Sequence, residues 1–272
     1  MPITVKTYPS LGEAASALQS DRTARFLAGG TLVMRAINEG DISLSTVVRS
    51  TDRGFTEIRS TGTGITLGAG VTMGQIIAHR ELTFLHLVAR AVGGPAIRNM
   101  ATIGGNLFAP TPYGDFTVAL LALDATVAMQ GGYGGRETPM EEFLANRDRH
   151  SGGLVAGITF NRPADPSAFH FRKVARVKPK GVSVLSIAAH LPMSSSRISS
   201  ARVAYGAMAQ TPIRAKAVER ALEGRGLDEA GIVPALAVAA EGTSPATDAL
   251  GSAWYRREMV AVHLKRLLLG MP

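Results

Sequence analysis

The stretch Ala24-Arg25-Phe26-Leu27-Ala28-Gly29-Gly30-Thr31-Leu32-Val33 decides how the first part of the chain folds. Residues 24–28 form a short apolar run that predicts a buried strand. It ends in a glycine pair, after which Leu32, Val33, Ala36 and Ile37 recur at helical spacing. Strand, glycine turn and helix therefore follow one another. Glycine lets the backbone approach a neighbour closely, and free amides at the start of a helix favour an anion. Thr31 adds a hydroxyl. Taken alone, the pattern is more often that of a structural turn.

Outward from this stretch, α and β signals alternate. Residues 10–20 read as a helix capped by Ser10 and Glu13, with Ala14, Ala15 and Leu18 on its apolar face. Thr46-Val47-Val48 is a further strand. Residues 56–58 and 64–69 predict a hairpin around Thr61-Gly62-Thr63-Gly64. Helices are expected from Thr72, at Phe84–Val92 and at Asp115–Asp124. A strand is expected at Ala125–Met129, and Gly131-Gly132-Tyr133-Gly134-Gly135 reads as a hairpin tip. Arg162-Pro163-Ala164-Asp165-Pro166 suggests a boundary. Beyond it, strands at Phe169–Val174, Ser183–Leu191 and Ile198–Tyr205 precede helices at 215–222, 227–240 and 252–269. Ser194-Ser195-Ser196-Arg197 forms the turn between the last two strands. The expected class is α+β: residues 1–165 as two α/β subdomains (about 1–54 and 55–165), and 166–272 as a small antiparallel sheet with helices.

Composition narrows the chemistry. The 272 residues are 46% hydrophobic and 18% charged, which predicts packed cores. With no cysteine, a disulfide framework and a cysteine-ligated zinc or iron–sulfur site are excluded from this chain. The N-terminus lacks the features of a signal peptide and no apolar run approaches about 20 residues, so a cytoplasmic chain with no membrane span is expected. Net charge is +8, and the one dense basic stretch holds Arg172, Lys173, Arg176, Lys178 and Lys180. It reads first as a solvated edge, then as a contact for phosphate or an acidic partner. Nucleic acid is the weakest reading, because no aromatic platform is interleaved. Gly68-Ala69-Gly70-Val71-Thr72-Met73-Gly74 misses the dinucleotide fingerprint by one residue, and neither a P-loop nor a nucleophile elbow is present. His79 and His86 could share a helix face, but no metal site is expected.

A second glycine cluster lies in Arg98-Asn99-Met100-Ala101-Thr102-Ile103-Gly104-Gly105-Asn106. Thr102 and Asn106 flank paired glycines, so side-chain donors beside accessible amides are expected. Asp115 follows past Pro110 and Pro112; a single aspartate near a phosphate loop suits ribose hydroxyls, and its plainer role is a charge at a helix start.

With both clusters in view, the sequence resembles the flavin-binding medium subunit of the molybdenum hydroxylases, the family of xanthine dehydrogenase, aldehyde oxidoreductases and aerobic carbon monoxide dehydrogenase. Leu27-Ala28-Gly29-Gly30-Thr31-Leu32 resembles the family's first FAD loop, and Ala101-Thr102-Ile103-Gly104-Gly105-Asn106 its second. Lys173-Val174-Ala175-Arg176, Gln210-Thr211-Pro212-Ile213-Arg214-Ala215 and Ser252-Ala253-Trp254-Tyr255-Arg256-Arg257 resemble motifs of its C-terminal domain.

The resemblance implies an FAD-binding domain of the vanillyl-alcohol-oxidase type whose two subdomains clasp FAD, with a third domain covering it. Phe26, Leu27, Ala28, Gly29, Gly30, Thr31, Leu32 and Val33 would wrap the pyrophosphate. Thr102, Gly105 and Asn106 would bind phosphate and neighbouring groups, with Ile97, Ala101, Ile103, Gly104 and Phe108 around them. Asp115 would meet a cofactor hydroxyl, Val92 and Ile158 would be apolar walls, Lys173 would reach the flavin, and Val182 would lie near the ring. The molybdenum cofactor and two [2Fe–2S] clusters would sit in a large and a small partner subunit, in a dimer of heterotrimers, and no catalytic acid or base is expected here. Relatives often carry an acidic residue and an isoleucine where this chain reads Lys178-Pro179-Lys180-Gly181-Val182, and some carry a cysteine-ligated cluster loop that this chain lacks. Competing readings are a stand-alone flavoprotein oxidase or reductase with the same FAD clasp, and a basic binding module without a cofactor.

Overall fold

The computed structural model describes residues 2–131, 137–150, 153–177 and 181–272, so most of the glycine-rich tip and the Lys178-Pro179-Lys180 segment lie outside the described residues. The helices in chain order are α1 (Leu11–Ser20), α2 (Val33–Asn38), α3 (Met73–Ala78), α4 (His86–Ala91), α5 (Pro95–Met100), α6 (Ile103–Leu107), α7 (Asp115–Ala122), α8 (Met140–Ala145), α9 (Lys216–Leu222), α10 (Glu229–Ala237) and α11 (Ala253–Leu268). The chain forms two compact units. The first comprises Met1–Ala78, Gly94–Ala109 and Ala125–Asn161; the second comprises His79–Gly93, Pro110–Asp124 and Arg162–Pro272.

In the first unit, strands β1 (Thr4–Tyr8), β2 (Ala24–Phe26) and β3 (Thr46–Ser50) make a parallel sheet in the order β1-β3-β2. Parallel pairing requires crossover connections, and α1 and α2 supply them. The predicted capping box on α1 is present: the Glu13 amide donates to Ser10 Oγ at 3.2 Å and the Ser10 amide to Glu13 Oε2 at 3.3 Å. Leu11, Ala14, Ala15 and Leu18 bury its apolar face. A second, antiparallel sheet runs β4-β5-β8-β6-β7, from β4 (Ile58–Thr61), β5 (Gly64–Gly68), β6 (Thr126–Gln130), β7 (Glu137–Pro139) and β8 (Leu154–Asn161). The predicted hairpin is the β4–β5 pair. Phe26 of β2 meets Phe55 edge-on with ring centroids 5.3 Å apart. Gly68 and Gly70 let residues 54–55 pack directly on the strand end, so the near-fingerprint glycines are packing residues.

The second unit is built on an antiparallel sheet in the order β14-β13-β10-β9, whose members in chain order are β9 (Phe169–Ala175), β10 (Ser183–His190), β13 (Arg202–Gly206) and β14 (Ile213–Arg214). The small ribbon of β11 (Met193–Ser194) and β12 (Arg197–Ile198) lies between β10 and β13 in sequence. Ser195 and Ser196 turn this ribbon with positive φ angles of 50° and 61°, where the turn is predicted. The single strand expected at Ile198–Tyr205 is therefore two, because the chain leaves β12 before joining β10 as β13. One sheet face packs Leu185, Ile187, Ala189, Val203 and Tyr205 into a core with α9, α10 and α11. The opposite face takes α7, whose eight residues are all buried. A helix that is apolar all round needs cover on every side. The contact units thus cross the boundary read near residue 165: segments 79–93 and 110–124 pack with the later sheet.

Two of the C-terminal motifs are ionic staples. Arg256, 1% exposed, donates to the carbonyls of Val184 and Ala246 and to both oxygens of Asp248 at 2.8 and 2.9 Å. Arg214 grips Glu219 with two donors at 2.5 and 2.9 Å, and Glu219 also accepts the Val203 amide at 2.8 Å.

Candidate flavin site

The first loop is open. The ladder between β2 and β3 ends where the Leu27 amide donates to the Val48 carbonyl at 2.8 Å. The next amide with an acceptor in the chain is that of Met34, which donates to the Gly30 carbonyl at 2.8 Å and begins α2. Among the described residues the amides of 28–33 have no acceptor, and Leu32 at the helix start has no side-chain cap. Gly30 sits at φ +76°, the left-handed region that excludes most side chains. Consecutive amides around a left-handed residue form an anion-binding concavity. These residues are half-buried or exposed, so the donors are reachable.

The second loop lies against the first. A Cβ on Gly29 would overlap the Met100 carbonyl and stand 3.2 Å from Cγ2 of Thr102. The two glycine clusters therefore converge within the first unit, and Gly29 is what permits it. Their internal chemistry differs, however. Thr102 caps α6, accepting the Gly105 amide at 3.1 Å. The amides of Ile103, Gly104 and Asn106 donate to the carbonyls of Val71, Ala69 and Thr102 at 2.9, 2.8 and 3.0 Å. The expectation of accessible amides in the second cluster is thus corrected: those of residues 103–106 are all satisfied internally. Gly104 is glycine because α6 packs on Ala69, and Ile103 is a core residue with no exposed surface. The Thr102 amide has no acceptor among the described residues, and it belongs to the residue whose methyl group would meet a Cβ on Gly29. Apolar Leu32, Ile97 and Met100, 36, 46 and 54% exposed, flank the two loops.

Other predicted positions fall as follows. Phe108 is half-buried, edge-on to Phe143 at 5.8 Å, and Phe143 stacks on His150 at 5.2 Å. Ile158 has no exposed surface; it lies opposite Leu67 and Val127 in the middle of the second sheet. Its wall role is corrected to a core role, since a fully covered side chain presents no face to a ligand. His86 Nε2 shares a hydrogen bond of 3.1 Å with the His79 carbonyl, and no group of three potential metal ligands occurs among the described residues.

Within the second unit, the structure joins two predicted residues in one ion pair, and two more are chain neighbours of residues that contact it. Lys173 Nζ lies 2.8 Å from Asp115 Oδ2 and donates to the Ala91 carbonyl at 2.9 Å. Val92 follows Ala91 in the chain, and Val182 precedes Ser183, whose hydroxyl donates to Asp115 Oδ1 at 2.6 Å. Ser183 was missed in the sequence. The signal available was a polar residue in the otherwise apolar strand Ser183-Val184-Leu185-Ser186-Ile187. The basic stretch is a solvated edge only in part: Arg176 is exposed, Arg172 and Lys173 are half-buried, and all three have partners. Arg172 donates to the Met271 carbonyl at 2.7 Å, Arg176 to that of Ala249 at 3.2 Å, and Lys173 is paired. Lys178 and Lys180 lie outside the described residues.

The residues of the first unit fit FAD. Open amides beside a glycine-enabled contact suit a diphosphate, and exposed apolar side chains flank them as a dinucleotide's rings require.

Comparison with known proteins agrees. The model for the FAD binding domain in molybdopterin dehydrogenase matches residues 4–161. That for the CO dehydrogenase flavoprotein C-terminal domain matches residues 169–271. The glyceraldehyde dehydrogenase medium chain of Sulfolobus acidocaldarius is 27% identical, over 93% of this chain and 92% of the relative. The carbon monoxide dehydrogenase medium chain of Afipia carboxidovorans is 28% identical, over 77% and 75%. A chain of reconstituted CO dehydrogenase from Oligotropha carboxidovorans superposes with a TM-score of 0.88 at 26% identity, covering 98% of this chain and 97% of that one. With more than half its length matched by the first of these models, the chain belongs to the family of FAD-binding domains in molybdopterin dehydrogenases.

Proposed function

We propose that this chain is the FAD-binding medium subunit of a heteromeric molybdenum hydroxylase, relaying electrons from the [2Fe–2S] clusters of a partner to an external acceptor. The observation that carries this reading is the run of amides at 28–33 without acceptors among the described residues, with Gly29 seated against Met100 and Thr102. FAD, when bound, supplies the conversion between one-electron carriers and two-electron acceptors. The chain's part is to hold that group. The amides of Ala28 to Val33 and the Thr31 hydroxyl would take the diphosphate, with Gly29 and Gly30 keeping the approach clear. Thr102 and Asn106 would contact neighbouring groups of the cofactor from the second loop. Asp115 and Lys173 would act as a pair toward the flavin, between Val92 and Val182, so the carboxylate is no longer assigned to a hydroxyl alone. Proton chemistry on the oxidised substrate belongs to another polypeptide.

Residues 1–165 form the FAD-binding domain in this reading, and 166–272 the C-terminal domain. The partners are a large molybdenum-cofactor subunit and a small iron–sulfur subunit, assembled as a dimer of heterotrimers in the cytoplasm. No helix among the described residues is long and apolar enough to cross a membrane. The visible spectrum of the purified chain tests the cofactor, and co-purification tests the assembly. Flavin bands near equimolar with this chain, and capture of one large and one small subunit, are the expected results. A colourless chain that stays colourless with added FAD would sink the reading. A yellow chain purified from its native cells without partners would favour a stand-alone flavoprotein.

A further inference from the structure

We propose that Ser183 is a positioning residue for the Lys173–Asp115 pair and thereby sets how much positive charge that pair presents to the flavin. This rests on the reading that Lys173 faces the bound ring. Ser183 is 1% exposed, and its hydroxyl has one acceptor, Asp115 Oδ1 at 2.6 Å. Its direction is set by a fault in the strand. Along β10, Leu185, Ile187 and Ala189 face the core shared with α9, α10 and α11. Strict alternation would send Ser183 to that same apolar face, because side chains repeat every two residues. The pairing of β9 with β10 instead shifts register between Ser183 and Leu185. The irregularity turns Ser183 to the opposite face, where α7 begins with Asp115. Bulges re-aim single side chains, and they are over-represented at sheet edges, at barrel rims and next to active sites.

The contacts close a circuit of fixed geometry. Lys173 uses one ammonium donor on the Ala91 carbonyl and another on Asp115, leaving a third. The Asp115 carboxylate divides its charge between Lys173 and Ser183. Without the hydroxyl, Lys173 alone must compensate Asp115, so less of its charge acts outside the pair. A flavin facing Lys173 then meets a weaker cation, which disfavours the more negative, reduced form.

The test uses the FAD-loaded complex and three readouts: flavin stoichiometry, melting temperature and flavin midpoint potential, for Ser183→Ala, Ser183→Thr and Lys173→Met. Ser183→Ala is expected to keep full flavin content and to shift the potential negatively, in the direction of Lys173→Met but by less. Ser183→Thr keeps a hydroxyl and is expected to restore part of the shift. Ser183→Cys, similar in size with only a weak donor, takes the same measurement if the alanine variant does not fold. A lowered melting temperature with an unchanged potential in the Ser183 variants, while Lys173→Met shifts it, would overturn the positioning role and leave the wider reading standing. An unchanged potential in Lys173→Met would overturn the flavin-facing reading and this proposal with it.

Discussion

Substituting Gly29 by alanine tests whether the two glycine loops hold a cofactor. The new methyl group cannot be absorbed by a side chain turning aside, because it overlaps the backbone carbonyl of Met100. Non-bonded carbon atoms settle about 3.5 Å from their neighbours, so the two loops must part. Parting moves the amides of 28–33 away from Thr102. If two amides lose a charged phosphate at about 1.5 kcal/mol each, the loss is about 3 kcal/mol. At about 1.4 kcal/mol per tenfold, FAD affinity falls by about 150-fold. The assay is titration of the cofactor-free chain with FAD, following quenching of flavin fluorescence, with circular dichroism to confirm the fold. The residue lies in a half-buried loop, so secondary structure should persist. Retention of FAD within threefold of the parent affinity would refute the assignment of these loops to the diphosphate.

Three further outcomes follow from the second unit. Arg256→Ala strands the Val184 and Ala246 carbonyls and the Asp248 carboxylate; with Asp248 partly exposed, the cost is about 3 kcal/mol, or a melting temperature lower by about 6–12 °C, and a fall under about 3 °C would contradict the staple. Tyr205→Phe removes a buried hydroxyl that has no partner among the described residues and whose phenol is pushed well up by burial and by Glu219; calorimetry should show a melting temperature unchanged or higher, and a loss of several degrees would show an unseen partner. His263 is held below the usual imidazole range by burial and then by Arg172 and Arg266, so the unfolded chain takes up a proton that the fold resists; its stability contribution is present above about pH 6.5 and lost as pH falls through the depressed value. His263→Gln should therefore flatten the drop in melting temperature between about pH 7 and pH 5, and an identical drop would dismiss that residue as a source.

The readings that succeeded in the sequence were those with a local cause. Ser10 and Glu13 form their capping box because both partners lie three residues apart, whatever packs above them. The turn at Ser195 and Ser196, the hairpin between β4 and β5, and the strand–glycine–helix passage at 24–37 are equally local. Failures came where a distant partner decides. The glycines of the second cluster read as ligand-facing, but the carbonyls of Ala69 and Val71 had already taken the amides beside them. Ile158 read as a wall until its place in the middle of the second sheet, between Leu67 and Val127, left it with no exposed surface. Lys173 of the basic stretch read as solvated until Asp115 and the Ala91 carbonyl received its ammonium group.

By itself, then, the sequence determined the turns, caps and glycine loops of this flavin-binding chain, because those depend on φ, on missing Cβ atoms and on partners a few residues apart. Only the tertiary structure decided which loop keeps its amides open, that Asp115 is bound to Lys173 and Ser183, and that α7 packs with the later sheet. Each of those outcomes is a competition for one acceptor or one apolar face among groups tens of residues apart, and folding alone shows which of them arrives.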